Sequence, residues 1–539
     1  MSYPFGNEDA PFGSAKWADA AEAKLKGMFR RDENSPVIGH IDGQPIYFHG
    51  DGGIVIVAGS RAGKGACFLV PNICAGQCRN RTQIVLNTKS DLAYITLNQT
   101  MDNKAVYCWD LEGMPGLPQD SVNPFEPLKK SSPRLMADIK VIVRGLLPPS
   151  GSSNGKYFEG RGRDVLEALT YVIVWRDGDA TLPALYEAVN TALIGGERWK
   201  DLAADLDACG NLLCQRVRRE IQTFLDDPHG AMKDIMGEVT NALSCLSDPK
   251  VMEKVSPPFS CSMEHDLCAT ERFANLFIIC EALHMETRAP IIQAMLNALF
   301  VVKGRKPEAP QQDWIMDEAA LLQGFDLLPK LFSYAAGLGI RPWAIFQSLD
   351  QMDALGHKAR QIILSSAQLQ IYFGIRELTT AQSLSAMIGD ETLSVKDPII
   401  QVRARSERRK LQQSLLDGAD PFKIMPGLSR LNYEARHRKQ MGRRLCKPEE
   451  ILRLADEHII YMDGLSGLLR ARHPPYWLQE EMAGRYLGDP QHPPIDSVMI
   501  MTVDGPRRAR VITKPVPEQY AHLPQYREGL WSYVEGHGE

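Results

Sequence analysis

Lys64 lies in a glycine-bounded stretch, IVIVAGSRAGKGACFLVPN at residues 54–72, whose residue types suit phosphate binding. Gly59 and Gly63 allow a tight turn. The backbone N–H groups of Gly59, Ser60, Arg61, Ala62, Gly63, Lys64, Gly65 and Ala66 can then line anionic oxygens, helped by the positive end of the helix that follows. The Lys64 ammonium would face the β and γ phosphates. Two positions depart from the G-x-x-x-x-G-K-(S/T) pattern: Ala58 replaces the first glycine, and Gly65 replaces the hydroxyl residue that ligates magnesium. The backbone donors survive both changes, but magnesium must then rely on waters and on a carboxylate elsewhere. DWIMDE, residues 313–318, offers that carboxylate. Here a strand-like run ends in Asp317 and Glu318, one acid for the metal and one to orient or activate an attacking water. The chemistry implied is hydrolysis of ATP with Mg2+.

Such groups need a sheet to bring them together. From residue 51 to about 124, short β-branched runs (IVIVA, QIVLN, AVYCWD) alternate with helical ones, a βαβ rhythm. Residues 125–270 show helical periodicity instead, in FEGRGRDVLEALTYVIVWR, LPALYEAVNTAL, LLCQRVRREIQTFL and AMKDIMGEVTNALSCL. Strand rhythm returns over 271–445 with NLFIIC, DWIMDE, RPWAIFQ and LQIYFG. Residues 1–50 form a lead-in, and 446–539 a tail that begins with another strand, HIIYMD. The strands on either side of the helical stretch share a continuous, buried character. The expectation is therefore one α/β nucleotide-binding domain interrupted by an all-α insertion.

Composition excludes several alternatives. With 539 residues, 44% hydrophobic and 24% charged, the chain can bury a large core. A net charge of −5 provides no general attraction to nucleic acid or anionic lipid. The eleven cysteines are scattered and lack the partners of a zinc site, so they read as reduced thiols. The longest apolar runs fall far short of a membrane span of about 18 residues. RARSERRK at 403–410 and RHRKQMGRR at 436–444 are basic, but carry few interleaved aromatics for base stacking and read as solvated faces.

Taken in order along the chain, FGSAKWA, Gly63-Lys64-Gly65 followed by Pro71-Asn72, VLNTKSDL, SVNPFEPL, MDEAALL, IFQSLDQM and RRLCKPEEILRLADEHIIYMDG resemble the type IV coupling proteins, the TraG-like ATPases of conjugation and type IV secretion. Glycine after the lysine is a trait of that family. Where the family has an Asp-Pro-Lys-Gly-Glu-like run, this chain has Asn87-Thr88-Lys89-Ser90-Asp91. The resemblance implies a RecA-like P-loop motor interrupted by an all-α domain that faces the substrate, six subunits in a ring, and ATP between subunits. It casts Gln347 as a sensor of the γ-phosphate and asks for an arginine from the neighbouring subunit, with Arg376 the first candidate and Arg341 and Arg360 competing. It implies delivery of a DNA–protein relaxosome, single-stranded DNA or protein effectors to a secretion channel at the cytoplasmic face of the bacterial inner membrane. Typical members carry transmembrane helices just before the GSAKWA segment. None is legible here, so a separate membrane protein is expected to anchor the ring, near residues 1–30. A non-hydrolysing adaptor and a duplex DNA translocase are the alternative readings.

Overall fold

The computed structural model describes residues 10–536 apart from 90, 150–154, 228–229, 397, 419, 421–425, 427–437, 455–456, 480–481, 483, 489–496, 504 and 527–528. Ser90 and the first two residues of the 436–444 cluster therefore lie outside the described residues. The chain forms two compact units: a larger one of residues 20–374, 456–463 and 471–539, and a smaller one of residues 1–19, 375–455 and 464–470.

The larger unit is organised by an eleven-stranded sheet. Seven parallel strands form its working part: β3 (Ile54–Ala58), β4 (Thr82–Asn87), β5 (Ala105–Asp110), β6 (Ala274–Ile279), β7 (Gln312–Met316), β8 (Ile340–Phe346) and β9 (Leu369–Phe373), in the spatial order β9-β3-β8-β7-β4-β6-β5. Every residue of β3, β4, β6, β7, β8 and β9 is buried, as expected of parallel strands covered on both faces. The lead-in and the tail extend this sheet antiparallel through β1 (Val37–Ile41), β2 (Gln44–Tyr47), β12 (Glu457–Met462) and β13 (Leu469–Arg472). His40 on β1, His473 after β13 and His458 on β12 make a row of rings, 6.2 Å and 5.5 Å between neighbouring centroids, that ends stacked on Phe373 of β9 at 4.2 Å. Phe68, four residues past Lys64, meets His473 edge-on at 5.2 Å.

Helices α1 (Ala20–Leu25), α2 (Val70–Ile73) and α3 (Asp91–Thr96) are short. Between β5 and β6 stand α4 (Leu135–Leu146), α5 (Gly155–Asp177), α6 (Leu182–Ile194), α7 (Glu197–Ala208), α8 (Leu212–Asp226), α9 (Ala231–Ala242) and α10 (Pro249–Lys254), with no named strand among them. Helix α5 is the hub of this group, burying Val165, Leu166, Leu169, Val172 and Ile173. Caps are local and legible: the Thr181 hydroxyl accepts from the Ala184 N–H, and the Asn211 carboxamide from the Leu213 N–H. Helix α4 rests on α11 (Met285–Arg305), where Asn297 donates to the Val141 carbonyl at 2.9 Å. A Cβ at Gly145 would meet the Ala294 nitrogen at 2.5 Å, so only glycine permits this approach. Among the described residues no helix is long and apolar enough to cross a membrane.

The smaller unit holds a two-stranded ribbon, β10 (Asp390–Lys396) against β11 (Arg438–Arg444), with the residues of the GSAKWA segment strapped to it. The Ala15 N–H donates to the Asp390 carbonyl at 2.9 Å, the Ala18 N–H to Leu468, and Arg470 lies over the Trp17 ring. Arg443 and Arg444 on β11 are neutralised by Glu391, Glu450 and Asp390. The cluster at 403–410 behaves differently: Arg405, Arg408, Arg409 and Lys410 are exposed on a helix spanning Pro398–Leu416.

Candidate functional site

Strand β3 lies between β9 and β8, so the loop after it hangs over the carboxyl ends of the central strands, where open α/β sheets bind their ligands. Within the loop the Ala62 N–H donates to the Gly59 carbonyl at 3.2 Å, and the Cys67 N–H to Gly63 at 2.8 Å. Gly63 has φ 91° and Arg61 φ 57°, both in the left-handed region. Glycine takes this conformation freely; arginine takes it at a cost of about 1–2 kcal/mol. Gly374, just past β9 with φ 57°, packs against the loop so tightly that a Cβ there would sit 2.4 Å from the Ala62 Cβ. Nothing in the sequence pattern flagged Gly374; only the fold brings it to the loop.

Three of the expected residues meet. Lys64 is 8% exposed, and its Nζ donates to Glu318 Oε1 at 2.9 Å. Gln347, directly after β8, donates from Nε2 to both Glu318 oxygens at 3.1 Å and 3.0 Å, while its own N–H is held by Gln351 Oε1 at 2.7 Å. Glu318 is a non-glycine residue at φ 53°, a conformation that turns the chain sharply at the end of β7 and aims the carboxylate at the loop. Asp317 is 6% exposed, and its N–H donates to the Leu86 carbonyl of β4. Burial, and then the neighbouring Glu318, push the Asp317 carboxyl up to about 6 against the pull of Lys64 and Lys89. A carboxyl in that state is ready to be drawn into its charged form by a cation. Asn87, at the end of β4, is fully buried with an unpartnered amide nitrogen, and the Thr88 hydroxyl is buried and unpartnered too. Their orphaned atoms and the acid pair fit a site built for a phosphorylated ligand and its metal.

The candidate arginines separate. Arg341 is 1% exposed and locked bidentately on Asp313, which also pairs with Arg81. It belongs to a buried ion cluster and cannot reach a neighbouring subunit. Arg360 pairs with Asp350 and Asp353. Arg376 is exposed, in the smaller unit.

A glycine-bounded loop after β3, an acid pair at the end of β7 and a glutamine after β8, the strand between, stand in the arrangement of the RecA-like P-loop NTPase fold, here with an all-α part between β5 and β6. A sequence model of the family described as type IV secretory system conjugative DNA transfer matches residues 8–416, and the chain belongs to that family, the type IV coupling proteins. Two curated relatives, both conjugal transfer proteins TraG from Escherichia coli, are 20% identical over 433 and 440 residues, 72% of this chain. The chain spans 66% and 65% of their lengths. Among solved structures, the plasmid coupling protein TrwB with the non-hydrolysable analogue ADPNP superposes with a TM-score of 0.58 at 16% identity, covering 88% of this chain and 96% of that one. TrwB with ADP and Mg2+ gives 0.57 at 15%, with the same coverage. At such identities the likeness establishes the fold.

Proposed function

We propose that the chain is an ATP-hydrolysing motor that couples DNA–protein relaxosome or protein effector substrates to a type IV secretion channel. The observation that carries this reading is the convergence of Lys64, Glu318 and Gln347 on one point above the central strands. Lys64 leaves Glu318 to take the β and γ phosphates, and Glu318, freed, accepts a proton from the attacking water. Gln347 follows the Glu318 carboxylate and reports the state of the γ-phosphate to the loop after β8. Asp317 would hold magnesium, whose charge would offset that of the phosphates. The solved TrwB structures with ADPNP and with ADP and Mg2+ support ATP and Mg2+ as cofactors.

In a homo-hexamer, Arg376 of each subunit, exposed here, would complete its neighbour's site. The helices between β5 and β6 then face the cargo, and single-stranded DNA is one such cargo. A separate membrane protein holds the ring at the cytoplasmic face of the inner membrane. Leu25, 88% exposed, is open to such a contact. In donor cells carrying the other transfer components, deletion of this chain should abolish transfer. Wild type should restore it and Glu318→Gln should not. Restoration by Glu318→Gln would favour the alternative of a non-hydrolysing platform.

A further inference from the structure

Gly65 leaves the metal one protein oxygen short, because the residue after the loop lysine ordinarily gives magnesium a hydroxyl. The space where that side chain would stand is not blank wall. A Cβ at Gly65 points at the first turn of α3, with Leu92 Cδ2 as its neighbour at 4.0 Å. The residue before Leu92 is the half-buried Asp91, which opens that helix. The same turn follows β4, which pairs with β7 so that Leu86 lies beside Met316 and its carbonyl accepts from the Asp317 N–H. Asn87, the last residue of β4, and Thr88 after it carry an unpartnered amide and hydroxyl, both on residues more than nine-tenths buried. Buried polar atoms without partners mark a place where a ligand or its water belongs.

We propose that Asp91 replaces the missing loop hydroxyl as a carboxylate of the magnesium shell, with Asp317 opposite it. This rests on the site being a magnesium–ATP site. Magnesium keeps several waters and needs only one or two carboxylates beside the phosphates, so two acids suffice. The exchange explains how a loop with glycine at position 65 retains its metal.

The test uses the full chain, Mn2+ as a paramagnetic substitute for magnesium, and a non-hydrolysable ATP analogue, with bound Mn2+ read by electron paramagnetic resonance. Nucleotide binding is measured separately in EDTA. Asp91→Asn keeps an oxygen for the Leu92 N–H, which Asp91 Oδ1 accepts at 2.9 Å, and so keeps the helix start. It should weaken Mn2+ binding in the nucleotide complex about 10- to 100-fold and leave metal-free nucleotide binding unchanged. Gly65→Ser, for which the structure has room, should recover most of that loss when added to Asp91→Asn. A merely structural Asp91 would not be rescued by a hydroxyl at position 65. Wild-type Mn2+ affinity in Asp91→Asn, failure of Gly65→Ser to rescue, or loss of metal-free binding would each overturn the assignment. A wild-type chain that binds no nucleotide at all would instead sink the reading beneath it.

Discussion

Replacing Gly374 by alanine strikes the loop without changing any of the proposed nucleotide-binding residues themselves. The new Cβ would lie 2.4 Å from the Ala62 Cβ and 3.5 Å from its Cα. Non-bonded carbons rest at about 3.5–4.0 Å, so the loop must retreat by roughly an ångström or more. Retreat is opposed by the Gly59 N–H, which donates to the carbonyl of Phe373, the residue before Gly374. The left-handed backbone at φ 57° adds about 1–2 kcal/mol for any residue with a Cβ. A displacement near 1 Å takes the loop N–H groups out of register with the phosphates and costs on the order of 100-fold in rate. Phosphate release should therefore show kcat/KM lowered by about two orders of magnitude, with a reduced thermal midpoint. Adding Ala62→Gly removes the Cβ–Cβ clash but not the backbone strain. The double variant should regain most of the activity and little of the stability. Wild-type turnover in the single variant, or no recovery in the double one, would refute the reasoning.

Glu318→Gln leaves the Lys64 ammonium buried without its partner, a loss of about 3–5 kcal/mol that a bound phosphate offsets. Its thermal midpoint should fall without nucleotide and rise more than wild type's with ATP, while turnover drops about 100- to 10,000-fold; unchanged turnover would contradict the assigned base. Because the Asp317 carboxyl sits at about 6, it is protonated below that pH and charged above it. Mn2+ binding to the nucleotide complex should weaken as pH falls through about 6 in wild type, and the ratio of wild type to Asp317→Asn cancels the nucleotide's own titration; a flat ratio would count against Asp317 as ligand. Burial depresses His458 to about 3, and drives His473 well below its ordinary range, aided by the nearby His458 and His40. Below the ordinary histidine pKa of about 6.5 the unfolded chain takes up protons that the folded one refuses, so stability falls as pH drops from 6.5 towards 3 and is unaffected above. Each of these rings should cost about 2 kcal/mol at pH 5, visible in urea unfolding and reduced in His458→Phe.

The proposed catalytic residues were singled out in the sequence because phosphate chemistry constrains short stretches of chain. Asp317, Glu318 and Gln347 sit just past buried, β-branched or aromatic runs, and Lys64 closes the glycine-bounded loop after another, and runs of that kind declare themselves locally. What stayed hidden depends on long-range register. Strand β1 of the lead-in, which also pairs with β2, lies against a tail strand more than 400 residues away, and neither half is apolar enough alone to announce a partner. Gly374 reads as an ordinary residue after a strand until β9 is placed beside β3. Arg341 looked free to serve a neighbour, since nothing local shows that Asp313, on the adjacent strand, captures it. Within SAKWADAAEAKLKGMF only Ala20–Leu25 is helical, while Trp17 is engaged by Arg470, a contact with a residue far along the chain that no local pattern announces.

The central claim is that this site binds and hydrolyses magnesium–ATP through Lys64. Calorimetric titration of the full chain with ATP and Mg2+, run beside phosphate release, tests it most directly when wild type is compared with Lys64→Ala. The account predicts saturable one-site binding and turnover in wild type. In Lys64→Ala affinity should fall at least about tenfold, the loss of one charge-assisted contact of roughly 1.5–3 kcal/mol, and turnover should vanish. Equal binding and turnover in the two proteins would place the nucleotide elsewhere and contradict the account.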